Sequence, residues 1–120
     1  MKRQDTGRLA ERLAREYLEA AGYVTLATNW RCPGAEIDII CQKDAETVFV
    51  EVRAKSSAEF GTPAESITRR KQAKLIAAAE EYLSTRPDAP PDWRIDFIGI
   101  EFSCGSHRLE HIPHAVCGGD

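Results

Sequence analysis

The sequence predicts an α/β domain in which a mixed sheet is flanked by helices. Three observations carry that expectation. Two stretches repeat apolar residues at helical spacing, several shorter ones alternate apolar and polar residues, and the order runs helix, strand, hairpin, helix, strand, strand. With 120 residues, the chain supports one hydrophobic core, since single domains most often run to roughly 100 to 150 residues. Residues 1–117 therefore read as a single domain and 118–120 as a tail.

From Thr6 to Ala21, Leu9, Ala10, Leu13, Ala14, Tyr17, Leu18 and Ala21 recur on one helical face, with Arg8, Arg12, Arg15, Glu16 and Glu19 on the other. Gly22 is placed to end the helix. Glu11 falls at the margin of the apolar stripe, where it can look inward along the edge of whatever the helix packs on. Tyr23–Thr28 reads as a short strand and Asn29–Gly34 as a loop, because Pro33 and Gly34 punctuate it.

Ala35–Cys41 alternates, with Glu36, Asp38 and Ile40 on one face and Ile37, Ile39 and Cys41 on the other. Thr47–Lys55 alternates as well: Val48, Val50, Val52 and Ala54 share one face, and Phe49, Glu51, Arg53 and Lys55 the other. Only polar residues and one alanine lie between the two runs, which predicts an antiparallel hairpin. Residues 56–63 read as a loop and Ala64–Leu83 as a second helix, with Ile67, Leu75, Ile76, Ala78, Ala79, Tyr82 and Leu83 as its apolar set. Residues 86–92, with three prolines, cannot continue that helix. Trp93–Phe102 is a strand, and Leu109–Ile112 a last edge strand.

The chemistry lies in the hairpin. Asp38 sits between Ile37 and Ile39, and Glu51 between Val50 and Val52. A buried, unpartnered carboxylate costs several kcal/mol, so such groups are normally paired, hydrogen-bonded or bound to metal. If the hairpin loop is Lys43–Glu46, Asp38 stands opposite Glu51 with Cβ atoms about 5 Å apart; a five-residue loop would put them on opposite faces. Two carboxylates so placed suit Mg²⁺ or Mn²⁺, which take one or two protein carboxylates and leave other positions to water and phosphate. Arg53 and Lys55 follow on the face of Glu51 and can hold a phosphate or offset developing negative charge. The same four residues can instead form ordinary salt bridges on a partly solvated sheet face.

Arg69, Arg70, Lys71 and Lys74 crowd the N-terminal half of the second helix, where the helix dipole disfavours cations. A nucleic-acid backbone would relieve that cost, with Gln72 in the same cluster; a plain solvated helix face is the alternative. The net charge of -3 gives no bulk basic signature. Split along the chain, however, residues 1–75 hold thirteen basic residues against eleven acids, and residues 76–120 three against eight. Four of the eleven acids are Glu11, Glu36, Asp38 and Glu51, so a basic half surrounds an acidic pocket.

Four cysteines at irregular spacings and the absence of an apolar N-terminal signal predict a reduced, cytoplasmic protein, and no apolar run is long enough for a membrane span. Cys104, His107, His111, His114 and Cys117 fit no common zinc spacing. No Gly-rich phosphate loop supports nucleotide hydrolysis.

Gly34-x-Glu36-Ile-Asp38-Ile-Ile, Val48-Phe-Val-Glu51-Val-Arg53-Ala-Lys55, Phe60-Gly61, Lys71-Gln72 and Arg94-Ile-Asp96, with the Gly7-x-x-x-Glu11-x-x-Ala14-x-x-Tyr17-Leu18 helix, resemble the YraN-like family of small bacterial proteins. The resemblance covers nearly the whole chain. It implies a restriction-endonuclease-like α/β/α sandwich with a mixed central sheet, related to archaeal Holliday-junction resolvases. Asp38 and Glu51 then match the two acidic metal ligands of the PD-(D/E)xK core, Glu11 the helix-borne acid of resolvase-type members, and Glu36 a commonly acidic position before the Asp. Arg53 stands where that motif carries Lys. Arginine stays protonated and cannot act as a general base, although it can bind phosphate as a fixed cation.

The expected function is therefore nucleic-acid binding and metal-dependent endonuclease activity on structured, including branched, DNA. Asp38, Glu51 and Glu11 would hold Mg²⁺ or Mn²⁺, Arg53 or Lys55 would stabilise the transition state, and the resemblance to resolvases, which act on two-fold-symmetric substrates, implies a homodimer. The alternative is a catalytically impaired nucleic-acid- or protein-binding module on the same fold.

Overall fold

The computed structural model describes residues 3–56 and 67–116. Helix α1 spans Arg3–Ala20, three residues longer at its start than its apolar stripe predicts. It closes as that stripe requires. Gly22 adopts φ +95°, its N–H donates to the Glu19 carbonyl at 3.1 Å, and the Tyr23 N–H reaches back to the Leu18 carbonyl at 2.9 Å. This paired return satisfies carbonyls that the helix end would otherwise orphan, and it needs the left-handed residue that glycine supplies without strain.

Five strands follow: β1 (Val24–Cys32), β2 (Ala35–Lys43), β3 (Glu46–Ser56), β4 (Asp92–Ser103) and β5 (Ser106–Val116), with helix α2 (Arg69–Ser84) between β3 and β4. They lie in one sheet in chain order. Neighbours are antiparallel except β3 and β4, which are parallel, as expected of strands joined through a helix. The sheet is thus mixed, and it is covered on both faces. Ala10, Ala14 and Leu18 of α1 pack on Ile39, Cys41, Val48, Val50, Ile98 and Ile100. Leu75, Ala78, Ala79 and Tyr82 of α2 pack on Ile37, Ile40, Phe49 and Ile95. Phe49 stands edge-on to Tyr82 and to Trp93, each with ring centroids 5.7 Å apart. The architecture is an α/β sandwich, helix on sheet on helix.

Several boundaries differ from the sequence expectation, each for a local reason. β1 runs through Asn29–Cys32, read above as loop, because Trp30 pairs with Ile37 in the ladder and stacks edge-on against Tyr82; the turn is only Pro33–Gly34. The hairpin turn is Asp44–Ala45, since Lys43 and Glu46 still pair, but the register is the one a four-residue loop predicts. Helix α2 begins at Arg69. Thr68 is its N-cap, with its hydroxyl accepting from the Lys71 N–H at 3.1 Å, so Ile67 lies outside the helix and residues 64–66 lie outside the described residues. β5 is eleven residues long where a four-residue strand was expected. It carries Pro113 on the edge of the sheet, where a missing N–H costs least, and joins β4 through Cys104 and Gly105, both at positive φ.

The strict alternation expected of β2 also breaks. Ile39 and Cys41 face α1, but Ile37 and Ile40 both pack under α2. The paired rungs between β2 and β3 stop at Ile39 and Val50, while β2 stays paired with β1 to Ala35 and β3 with β4 to Ser56. The two strands part there, which frees Asp38 from the pleat.

Candidate functional site

The proposed acids meet where β2 and β3 part. The hairpin register puts Asp38 opposite Glu51, one step beyond the last rung. The Val52 N–H donates to Asp38 Oδ2 at 2.8 Å, so the carboxylate takes a backbone donor left over where the ladder ends. Burial, the neighbouring Glu51 carboxyl and the more distant charge of Glu11 push the Asp38 carboxyl up to about 8, against the opposing Val52 N–H. Two carboxyls so close cannot both ionise cheaply.

Glu51 is 3% exposed, and its charge is offset from two elements. Arg53 of β3 places Nη2 at 3.2 Å from Glu51 Oε2, and Lys71 of α2 places Nζ at 3.3 Å from the same oxygen. Lys71 reaches the acids because the Thr68 cap starts the helix just before it. Arg53 is only partly engaged by that contact: its Nε is buried without a hydrogen-bond acceptor among the described residues.

Glu11 looks in from α1, as its place at the stripe margin predicts. Burial raises its carboxyl, a hydrogen bond from Asn29 opposes that, and the charges of Glu36 and Glu51 raise it further. It acts on the acid pair through space, because among the described residues no cluster of three or more His, Cys, Asp or Glu forms that could hold a metal by itself. Glu36 turns to an ion pair with Arg31. Arg69, Arg70 and Lys74 are exposed on the first turns of α2, which carries no acid in its first turn. Gln72 is half-buried and its amide donates to the Ile67 carbonyl at 3.4 Å. Lys55 lies two residues beyond Arg53 on β3.

Sequence reasoning missed Asn29. It adopts φ +52°, between the rungs Thr28–Ile39 and Trp30–Ile37, and its side chain lowers the Glu11 carboxyl against burial. The tolerance of Asn for left-handed geometry was the available signal, and it was read as a loop.

A second polar cluster lies at the β4–β5 edge under α1. Asp96 is fully buried. Its Oδ1 accepts from Arg94 Nε at 2.9 Å and from the His114 N–H at 3.1 Å, and its Oδ2 meets His111 Nε2 at 2.8 Å. Arg94 also pairs with Glu46 and donates to the Tyr23 hydroxyl at 2.8 Å. His111 Nδ1 meets the Tyr17 hydroxyl at 3.0 Å, so both ring nitrogens are used within the protein. Burial would raise the Asp96 carboxyl, but the bonds from His111, Arg94 and His114 outweigh it and hold it below the ordinary range. No described helix is long and apolar enough to cross a membrane.

A model of the uncharacterised protein family UPF0102 matches residues 10–100, a span that contains Glu11, Asn29, Asp38, Glu51, Arg53, Lys71 and Asp96. A UPF0102 protein of Dehalococcoides mccartyi is 44% identical over 114 residues, covering 95% of this chain and 94% of its own. One of Roseiflexus castenholzii is 40% identical over 119 residues, 96% and 95% of the two chains, and one of Carboxydothermus hydrogenoformans is 41% identical over 116 residues, 97% and 98%. The family match and these full-length likenesses agree with the motifs read from the sequence, and the chain belongs to the uncharacterised protein family UPF0102, the YraN-like proteins.

Proposed function

We propose that this protein is a DNA-binding, metal-dependent endonuclease of the restriction-endonuclease-like class that acts on structured DNA, branched junctions included. The observation that carries the reading is the contact between the Asp38 and Glu51 carboxyls at a break in the sheet, with Arg53 and Lys71 on Glu51. Two adjacent carboxyls are a fitting donor set for a hard divalent cation such as Mg²⁺ or Mn²⁺, which Asp38 and Glu51 would hold. When bound, it supplies polarisation of the phosphodiester and acidification of water.

The chain's own residues do the rest. Val52 N–H fixes the orientation of Asp38. Glu11, held by Asn29, adds negative charge that favours a cation. Arg53 and Lys71 offset the charge that develops on the phosphate. Arg69, Arg70 and Lys74 gather the backbone along α2, and Lys55 extends the cationic row on β3 by about 6 to 7 Å.

Arg53 in the place of the motif lysine favours one other reading, a module that binds nucleic acid without cutting it. One experiment separates the two: binding and cleavage of branched, duplex and single-stranded DNA in Mn²⁺ and in EDTA, for the wild type and Asp38→Asn. Metal-dependent cleavage lost in the variant supports the enzyme. Salt-sensitive binding without cleavage supports the module, and no binding at low salt overturns both.

A further inference from the structure

We propose, on the reading above, that Arg53 and Lys71 form a phosphate cradle that Glu51 fills in the metal-free protein and that a divalent cation at Asp38 and Glu51 opens. Both cations approach one oxygen, Glu51 Oε2, at 3.2 and 3.3 Å, and they come from different elements, β3 and α2. Two positive charges face one carboxylate, which neutralises only one of them.

Arg53 Nε, buried and without an acceptor among the described residues, is a donor that a second oxygen of an incoming anion would satisfy. The two cations also open to solvent where Glu51 does not. The Lys71 and Arg53 side chains are 32% and 41% exposed, against 4% for Glu51. A tetrahedral phosphodiester oxygen placed where Glu51 Oε2 now sits would meet both cations, and its partner oxygen would meet the free Nε.

A divalent cation on Glu51 has the same sign as Lys71 and Arg53 and competes with them for Oε2. With a divalent cation held there, Arg53 and Lys71 would be released from Glu51 Oε2 toward a phosphate. The consequence is a pair of effects of opposite sign. Removing Lys71 strengthens binding of the metal alone and weakens binding of DNA in the presence of metal. A purely structural lysine would weaken both.

The test titrates Mn²⁺ alone into the full-length protein by calorimetry, and measures affinity for a short branched duplex in EDTA and in Mn²⁺, for the wild type, Lys71→Met, Lys71→Arg and Lys74→Met. Lys71→Met is expected to bind Mn²⁺ about three- to ten-fold more tightly. It should lose about ten-fold in DNA affinity in Mn²⁺ but little in EDTA, where Glu51 already fills the cradle. Lys71→Arg should behave as wild type, which keeps the test sound if the methionine variant folds poorly. Lys74→Met should lose affinity equally in both conditions. Wild-type Mn²⁺ binding that Lys71→Met leaves unchanged or weakens, or a DNA loss equal in EDTA and Mn²⁺, overturns the cradle and leaves the metal site standing. A wild type that binds no Mn²⁺ overturns both.

Discussion

Asp96 and Asp38 are both aspartates set in strands of the same sheet, and their surroundings drive them in opposite directions. Asp96 is enclosed by donors: the Arg94 guanidinium, His111 and the His114 N–H fill its two oxygens, and its carboxyl stays below the ordinary range despite burial. Asp38 has one N–H, from Val52, and otherwise faces a second carboxyl, which with burial pushes it to about 8. The first arrangement is closed, every partner supplied by the chain. The second spends stability to hold two acids together, and strain of that kind persists at sites that serve a ligand. The difference separates a strut that ties Arg94, Tyr23, His111 and Tyr17 to the sheet from a pair of acids that the chain itself satisfies only in part, the donor set proposed above for a divalent cation.

The largest effect that would sharpen the contrast is on stability. Asp96→Ala leaves Arg94 and His111 without their buried acceptor and should cost about 3 to 5 kcal/mol, read from the urea midpoint. Asp38→Asn keeps an acceptor for the Val52 N–H and matches the uncharged acid that Asp38 is at pH 5, so at that pH it should lie within about 1 kcal/mol of wild type. Equal destabilisation by the two changes would erase the distinction.

The two acids also predict opposite responses to pH in metal-free buffer. Between about pH 4 and 8 the folded chain keeps a proton on Asp38 that the unfolded chain has released, so stability falls as pH rises through that window and has lost its full share above 8. Asp96 is the reverse: its lowered carboxyl contributes stability above the ordinary aspartate range, and that share is lost as pH falls below about 4. Urea midpoints from pH 3 to 9 should therefore decline on both sides of a maximum near the acid end, and Asp38→Asn should flatten only the alkaline decline. A variant that keeps the wild-type slope between pH 5 and 8 would show that Asp38 is not the group responsible.

Much of the open site was legible in the sequence because hairpin register is a local property. Lys43–Glu46 alone sets the pairing that puts Asp38 opposite Glu51, and Glu11 was visible as an acid at the edge of a stripe. Lys71 was legible only as part of a basic helix. Its contact with Glu51 spans twenty positions of sequence and depends on where α2 docks, which no periodicity within the helix reports. The closed site was hardly legible at all. Asp96 takes its bonds from Arg94 of β4 and from His111 and His114 of β5, and these reach on to Glu46 of β3, Tyr17 of α1 and Tyr23 just before β1; Pro113 and three histidines mask the alternation that would give β5 its full length. The break in the faces of β2 at Ile37–Ile39 was hidden for a related reason: the sequence there alternates well, and only the parting of β3 disrupts it.

A smaller change probes the closed cluster. Tyr23→Phe deletes one acceptor of the Arg94 guanidinium while Asp96 and Glu46 remain, so a loss of about 1 kcal/mol is expected by urea titration. A loss as large as that of Asp96→Ala would mean the cluster fails as a unit.

The smallest expected effect falls on the open site, and its reading is electrostatic. Asn29→Gly relieves the left-handed backbone at φ +52° and at the same time removes the hydrogen bond that lowers the Glu11 carboxyl. The two contributions to stability oppose each other, which leaves a net change within about 0.5 kcal/mol. What should move is Glu11, whose carboxyl rises further once only burial and the charges of Glu36 and Glu51 act on it, as carbon-13 NMR of the side chain would show. A Glu11 carboxyl that ionises less readily attracts a cation less, so Asn29→Gly should also weaken Mn²⁺ binding by about two- to five-fold. An unmoved Glu11 titration would remove Asn29 from the site and leave its backbone geometry as its whole role.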